Sequence, residues 1–186
     1  VLDSLKRPLP AGAGVRAQAE RLESILSYTL DDQYDLPVYS RQLDSLFHCC
    51  IRGKTGDIKF EHRVEAEIPM FRGTALLYKE PRKAKMLFES ALGKFSAFGD
   101  SAGLAMTYMY LGSVAGAMGD SLAFSAVYPK AMTLSGHVKD PYLLATVYNN
   151  LGISCFDFGR FTESAALAFR ILDLIDQHPT PAMLAG

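Results

Sequence analysis

The sequence predicts an all-α fold, a solenoid of stacked antiparallel helix hairpins, on three observations. The first is an internal repeat. At a shift of 40 residues Asp100 meets Asp140, Leu104 meets Leu144 and Tyr108 meets Tyr148. Leu111-Gly112 then meets Leu151-Gly152, Gly119 meets Gly159, Ala91 meets Ala131 and Phe88 meets Tyr128. One period thus runs through at least residues 65–176. The second is punctuation. Asp100 and Asp140 are good N-cap residues, Pro141 suits a first helical position, and Gly119 and Gly159 stand where a left-handed residue ends a helix. The third is spacing: Leu104, Tyr108, Leu111 and Ala115, like Leu144, Tyr148, Leu151 and Cys155, recur at three and four residues, as one face of a helix does.

In chain order, residues 1–14 are rich in Pro and Gly and read as a linker or N-terminal arm. Apolar stripes at 15–30 (Val15, Leu22, Ile25, Leu26, Leu30) and 36–52 (Leu36, Tyr39, Leu43, Leu46, Phe47, Cys50) predict a degenerate hairpin over 15–57. Residues 52–57, RGKTGD, form its turn into the next helix. Three hairpins follow over 58–178, with Pro81 opening the second helix of the first. Asp120 caps a helix running to about Ser135. Gly112 and Gly152 fall mid-helix, where Gly is unfavourable by up to about 1 kcal/mol; their spacing predicts a neighbouring helix too close for a side chain. The last helix, 161–176, is apolar nearly all round, whereas a terminal repeat has a polar outer face. It predicts contact with a further element or a second copy of the chain. Residues 179–186 read as a tail, and a chain opening on Val reads as a piece of a longer protein.

Composition narrows the function. Of 186 residues, 19 are basic and 20 acidic, for a net charge of −1. A surface for nucleic acid would need a clear basic excess, so direct nucleic-acid binding is not expected. The apolar runs are far too short for a membrane span, and the first residues contain no apolar signal core. Three cysteines, two of them adjacent, argue against a disulfide framework and for a reducing, cytoplasmic setting.

These features resemble the tetratricopeptide-repeat family. Its aromatic, Leu-Gly, Gly-x-aromatic and small-residue pattern reads Tyr148, Leu151, Gly152, Gly159, Phe161 and Ser164 in the last unit. The middle unit supplies Tyr108, Leu111, Gly112, Gly119 and Ala131. The first keeps Ala84, Phe88 and Ala91, but has Arg72 in place of the Gly and Pro69 inside its first helix. The 40-residue period exceeds the family's usual 34. It is most similar to the repeats of maltose-activator-type bacterial regulators and to those preceding diguanylate cyclases.

The resemblance implies a right-handed superhelical solenoid whose concave groove is lined by the first helix of each hairpin. The family's groove positions fall on Met106, Met109, Tyr110 and Ser113, and on Thr146, Asn149, Asn150, Ile153 and Phe156. Pro69 and Gly73 join them from the first unit. Asn150 stands where the family's Asn grips a bound peptide's backbone, and two methionines make a deformable apolar floor. Clamp positions that would bind a chaperone's terminal carboxylate carry no cation here. The implied function is a non-catalytic regulatory interaction module for a peptide, protein segment or small effector, within a larger bacterial signalling or transcription-regulating protein. The alternative is a stand-alone adaptor or secretion-type chaperone.

Chemistry finds little purchase. His48, Cys49 and Cys50 point about 100° apart on a helix, so they cannot together supply a zinc site. Cys155 takes a core position. His62 falls on a charged helix face, His137 in a loop and His178 beside Pro179, none with a nucleophile at catalytic spacing. RGKTGD lacks the spacing and the preceding strand of a phosphate loop. No enzyme activity, cofactor or metal is expected.

Overall fold

A computed structural model describes residues 6–7, 12–29 and 34–178. Among these residues there are eight α-helices and no strand. The chain divides into two compact units, residues 1–98 and 99–186.

The first unit holds α1 (Val15–Tyr28), α2 (Asp35–Leu46), α3 (Ile58–Leu76) and α4 (Pro81–Phe98). The predicted helix over 36–52 is in fact two pieces. α2 stops at Leu46 and the chain continues as a π-helical turn, Phe47–Ile51, closed by Arg52 N–H donating to the Phe47 carbonyl at 2.9 Å. The wider turn keeps Phe47 and Ile51, four residues apart, buried together. In this turn Cys49 and Cys50 are joined as a disulfide, a pairing of neighbours that the sequence argument against a disulfide framework did not include. A bond between neighbours closes no loop of chain, so it tethers nothing distant. Leu30, the end of the first predicted stripe, lies outside the described residues, as do 1–5, 8–11 and the 179–186 tail.

α3 begins where Asp57 accepts from the Phe60 N–H at 3.0 Å, a cap the sequence reading passed over as turn. It runs unbroken through the buried Pro69. α2 packs on α3 and α3 on α4. His62, expected on a charged face, lies flat against Phe98 with ring centroids 3.7 Å apart. Lys94 Nζ of α4 donates to Glu65 Oε1 of α3 at 2.6 Å. Gly73 is where these helices close in: a Cβ there would sit 2.8 Å from Phe88 Cε1.

The second unit holds α5 (Ser101–Met118), α6 (Ser121–Ser135), α7 (Pro141–Asp157) and α8 (Phe161–Gln177). The predicted caps form. Asp100 accepts from Gly103 N–H at 2.9 Å and Asp120 from Ala123 N–H at 2.9 Å; Asp140 accepts from Tyr142 and Leu143 at 2.8 and 3.1 Å. The 40-residue period recurs in the backbone bonds that end the first helix of each hairpin. Asp120 N–H donates to Ala115 and Arg160 N–H to Cys155, at 2.9 and 2.8 Å. Gly119 N–H donates to Gly116 and Gly159 N–H to Phe156, at 3.0 and 2.9 Å. Both glycines adopt positive φ, 66° and 72°, which reverses the chain without the cost a Cβ would add.

α5 packs on α6, α7 on α8, and α5 on α7. Gly112 lies where α5 meets its neighbours, but a Cβ on it would stand 3.4 Å from Leu151 Cδ2 and 3.5 Å from Phe124. At Gly152 the nearest atom would be Leu167 Cβ at 3.7 Å. Those are ordinary contacts, so neither glycine is demanded by a clash, contrary to the sequence expectation. The core of this unit gathers Phe124, Leu151, Cys155 and Leu167, all at most 2% exposed.

Candidate binding groove

The nine predicted groove residues divide between two helices with opposite fates. On α5, Met106, Met109, Tyr110 and Ser113 are all buried, Met109 completely. The cause is helix packing. Gly112 and Gly116 face Leu151 and Ser154 of α7, and Met109 and Ser113, three residues before each, share that face. These side chains are packed against protein and make no open floor. Pro69 and Gly73 of α3 are buried as well.

On α7 the corresponding face is open. Residues 40 positions after Met109, Ser113 and Gly116 are Asn149, Ile153 and Phe156, and all three are exposed. With Tyr148 and Gly152 of α7, and Ser164, Ala168 and Ile171 of α8, they line a shallow groove of about 250 Å³. The α8 side of this groove was read from sequence as scaffold or apolar surplus. Its signal was there, in the missing polar outer face of 161–176. α8 presents Phe161, Phe169 and Leu172 to solvent and buries only Leu167 among its described side chains. Phe156 and Phe161 meet edge to face at one end, with centroids 5.3 Å apart, a favourable aromatic geometry.

The polar residues are disposed beside this apolar strip. Asn149 opens to solvent, whereas Asn150 is half-buried and donates its amide to the Thr146 carbonyl, one turn back on its own helix, at 3.0 Å. Thr146 in turn donates its hydroxyl to the Tyr142 carbonyl at 3.0 Å. Both therefore satisfy the helix backbone from the side chain, and one amide hydrogen of Asn150 is already committed.

Every lining residue is uncharged. The Arg170 guanidinium lies over the Tyr148 ring, 5.6 Å from its centroid. Beneath the groove, burial pushes the Cys155 thiol up to about 11, with Glu163 adding to the effect. The thiol is therefore protonated at neutral pH and is a packing group, since the thiolate is the nucleophile. His48 lies 3.4 Å from Asp44, one turn back in the chain. Among the described residues no helix is long and apolar enough to cross a membrane. The groove can desolvate an apolar side chain and offer hydrogen bonds at its edge; it carries no paired acid, base or nucleophile.

No protein-family model matches the chain, and no curated protein is significantly similar to it in sequence.

Proposed function

We propose that the chain is a non-catalytic interaction module, its hairpins forming a right-handed tetratricopeptide-like solenoid that takes a peptide or protein segment with an apolar side chain into the α7–α8 groove. One observation carries the reading: Ile153 and Phe156 are 50% and 62% exposed along an uncharged groove, whereas Ser113, the counterpart of Ile153 one repeat earlier, is buried. An apolar surface of this kind gains about 25 cal/mol for each Å² that a partner removes from water. Asn149 at the edge supplies both a donor and an acceptor for a bound backbone. The repeated cap bonds and the packing of α5 on α7 support the solenoid. On this reading the module regulates a larger cytoplasmic bacterial signalling or transcription protein, and α8 also offers a contact for a second copy. The balanced charge favours a protein or small-effector ligand over nucleic acid.

The test is a pull-down from native lysate with three forms shown to be equally folded by circular dichroism: wild type, Asn149→Ala with Asn150→Ala, and Phe156→Ser. Bound proteins and small molecules are identified by mass spectrometry. A partner held by the wild type should be depleted about tenfold by Phe156→Ser, since one desolvated aromatic anchor is worth more than about 1.4 kcal/mol. Equal recovery on all three forms would remove the groove from consideration.

A further inference from the structure

Between α1 and α3 lies a cluster with one more acid than base. Arg63 Nη2 of α3 donates to Glu23 Oε2 of α1 at 2.9 Å. Glu67, one turn further along α3, places Oε1 at 3.9 Å from Arg63 Nε. Glu67 is also a hydrogen-bonding neighbour of the Glu23 carboxyl. The side chains of Glu23 and Glu67 are only 14% and 18% exposed, and among the described residues Glu23 Oε1 and Arg63 Nε are buried without a hydrogen bond. Two ionised carboxylates here would leave a surplus negative charge in a poorly hydrated site. Retaining one proton costs less than burying that charge. In accord with this, burial pushes the Glu23 carboxyl above its ordinary value and Glu20 adds to the rise, while Arg63 and Glu67 oppose it.

Among the described residues, the other charges nearby have partners of their own. Arg21 of α1 donates to the Arg7 carbonyl. Arg16 of α1 binds Glu20 and Asp57. On α2, Arg41 donates to the Pro37 carbonyl, and Asp44 pairs with Arg72 and His48. In the turn after the disulfide, Lys54 donates to the Cys49 carbonyl. On α3, His62 stacks on Phe98 and Glu61 accepts from the Gly53 and Thr55 N–H groups.

We propose that Glu23, Arg63 and Glu67 form a proton-operated latch that holds α1 on α3. With one carboxyl protonated the cluster is neutral and the latch is closed. Loss of that proton on alkalinisation leaves a net negative charge between the helices and loosens α1. The sign follows from linkage. A carboxyl that binds its proton more tightly when folded contributes its full stability below the ordinary Glu range, and that contribution is lost as pH rises through the native value.

The test is hydrogen exchange of the α1 amides, residues 15–28, in the full chain from pH 5 to pH 8, corrected for the base-catalysed chemical rate. In the wild type, protection of α1 should fall by up to about tenfold per pH unit above the ordinary Glu range and level off once pH passes the native value, because within that window opening releases one proton. Glu23→Gln and Glu67→Gln each remove the surplus charge while preserving shape. Each should flatten that dependence and protect α1 better than wild type at pH 8. Glu20→Gln, on the exposed side of α1, should keep the slope and only end it at a somewhat lower pH, since Glu20 adds to the rise of Glu23. The latch is overturned if wild-type protection is flat across the range, if both Gln variants keep the wild-type slope, or if both loosen α1 equally at pH 5 and pH 8.

Discussion

Gly73→Ala and Gly112→Ala are the same chemical change in two mid-helix sites, and the structure expects opposite outcomes. At Gly73 the new Cβ would sit 2.8 Å from Phe88 Cε1 and 3.0 Å from Cδ1 and Cζ. Phe88 is fully buried, so its ring has no open space to move into. The helix gains about 1 kcal/mol from Ala over Gly, but overpacking a filled core costs about 1–3 kcal/mol, so the net change is a loss of about 1 kcal/mol. At Gly112 the nearest atoms are 3.4 and 3.5 Å away, which is ordinary contact, and the helix term stands almost alone. A gain of about 0.5–1 kcal/mol is expected there. The two variants should therefore differ by roughly 2 kcal/mol, a factor of about 30 in an equilibrium constant. With two compact units in the chain, one unfolding transition is not assured. Urea unfolding by circular dichroism should accordingly be paired with hydrogen exchange, reading α3 and α4 for the first variant and α5 and α7 for the second. Gly73→Ala amides as protected as wild type would refute the close-packing argument. A loss above about 1 kcal/mol at Gly112 would refute the other half.

Two further outcomes are expected. Cys155 is completely buried and its thiol is raised to about 11, so iodoacetamide at pH 8 should label it only after denaturant is added. The stability this thiol contributes is present below the ordinary thiol range and is lost as pH rises through about 11. Native and denatured protein labelling at the same rate, read by mass shift, would show the site open. Asp140→Ala removes both side-chain bonds at the start of α7 and should cost about 1 kcal/mol. Faster exchange at the first turn of α7, with α8 little changed, is the expected signature; unchanged exchange would show that water replaces the cap.

How much was legible follows the range of each interaction. A cap acts within one turn, so Asp100, Asp120 and Asp140 could be located from neighbouring residues alone, and so could the left-handed Gly119 and Gly159. Apolar stripes likewise marked α1, α2, α5 and α7, although the end of α2 was blurred because its stripe continues smoothly into the π-helical turn. α5 was harder. With Met106, Met109, Tyr110 and Leu111 all apolar, no polar stripe distinguishes an inward face from an outward one, and four groove residues were placed on a helix that is buried.

The sequence by itself determined that the chain is helical, where α5, α6 and α7 are capped, and that a pattern recurs after 40 residues, because those properties are set by residues within a few positions of one another. Only the tertiary structure decided which glycine is crowded, which methionines are covered, and that Glu23 meets Glu67. Each depends on a side chain brought in by another helix, as Phe88 is to Gly73 and Leu151 to Gly112, and local spacing carries no record of what the fold will place there.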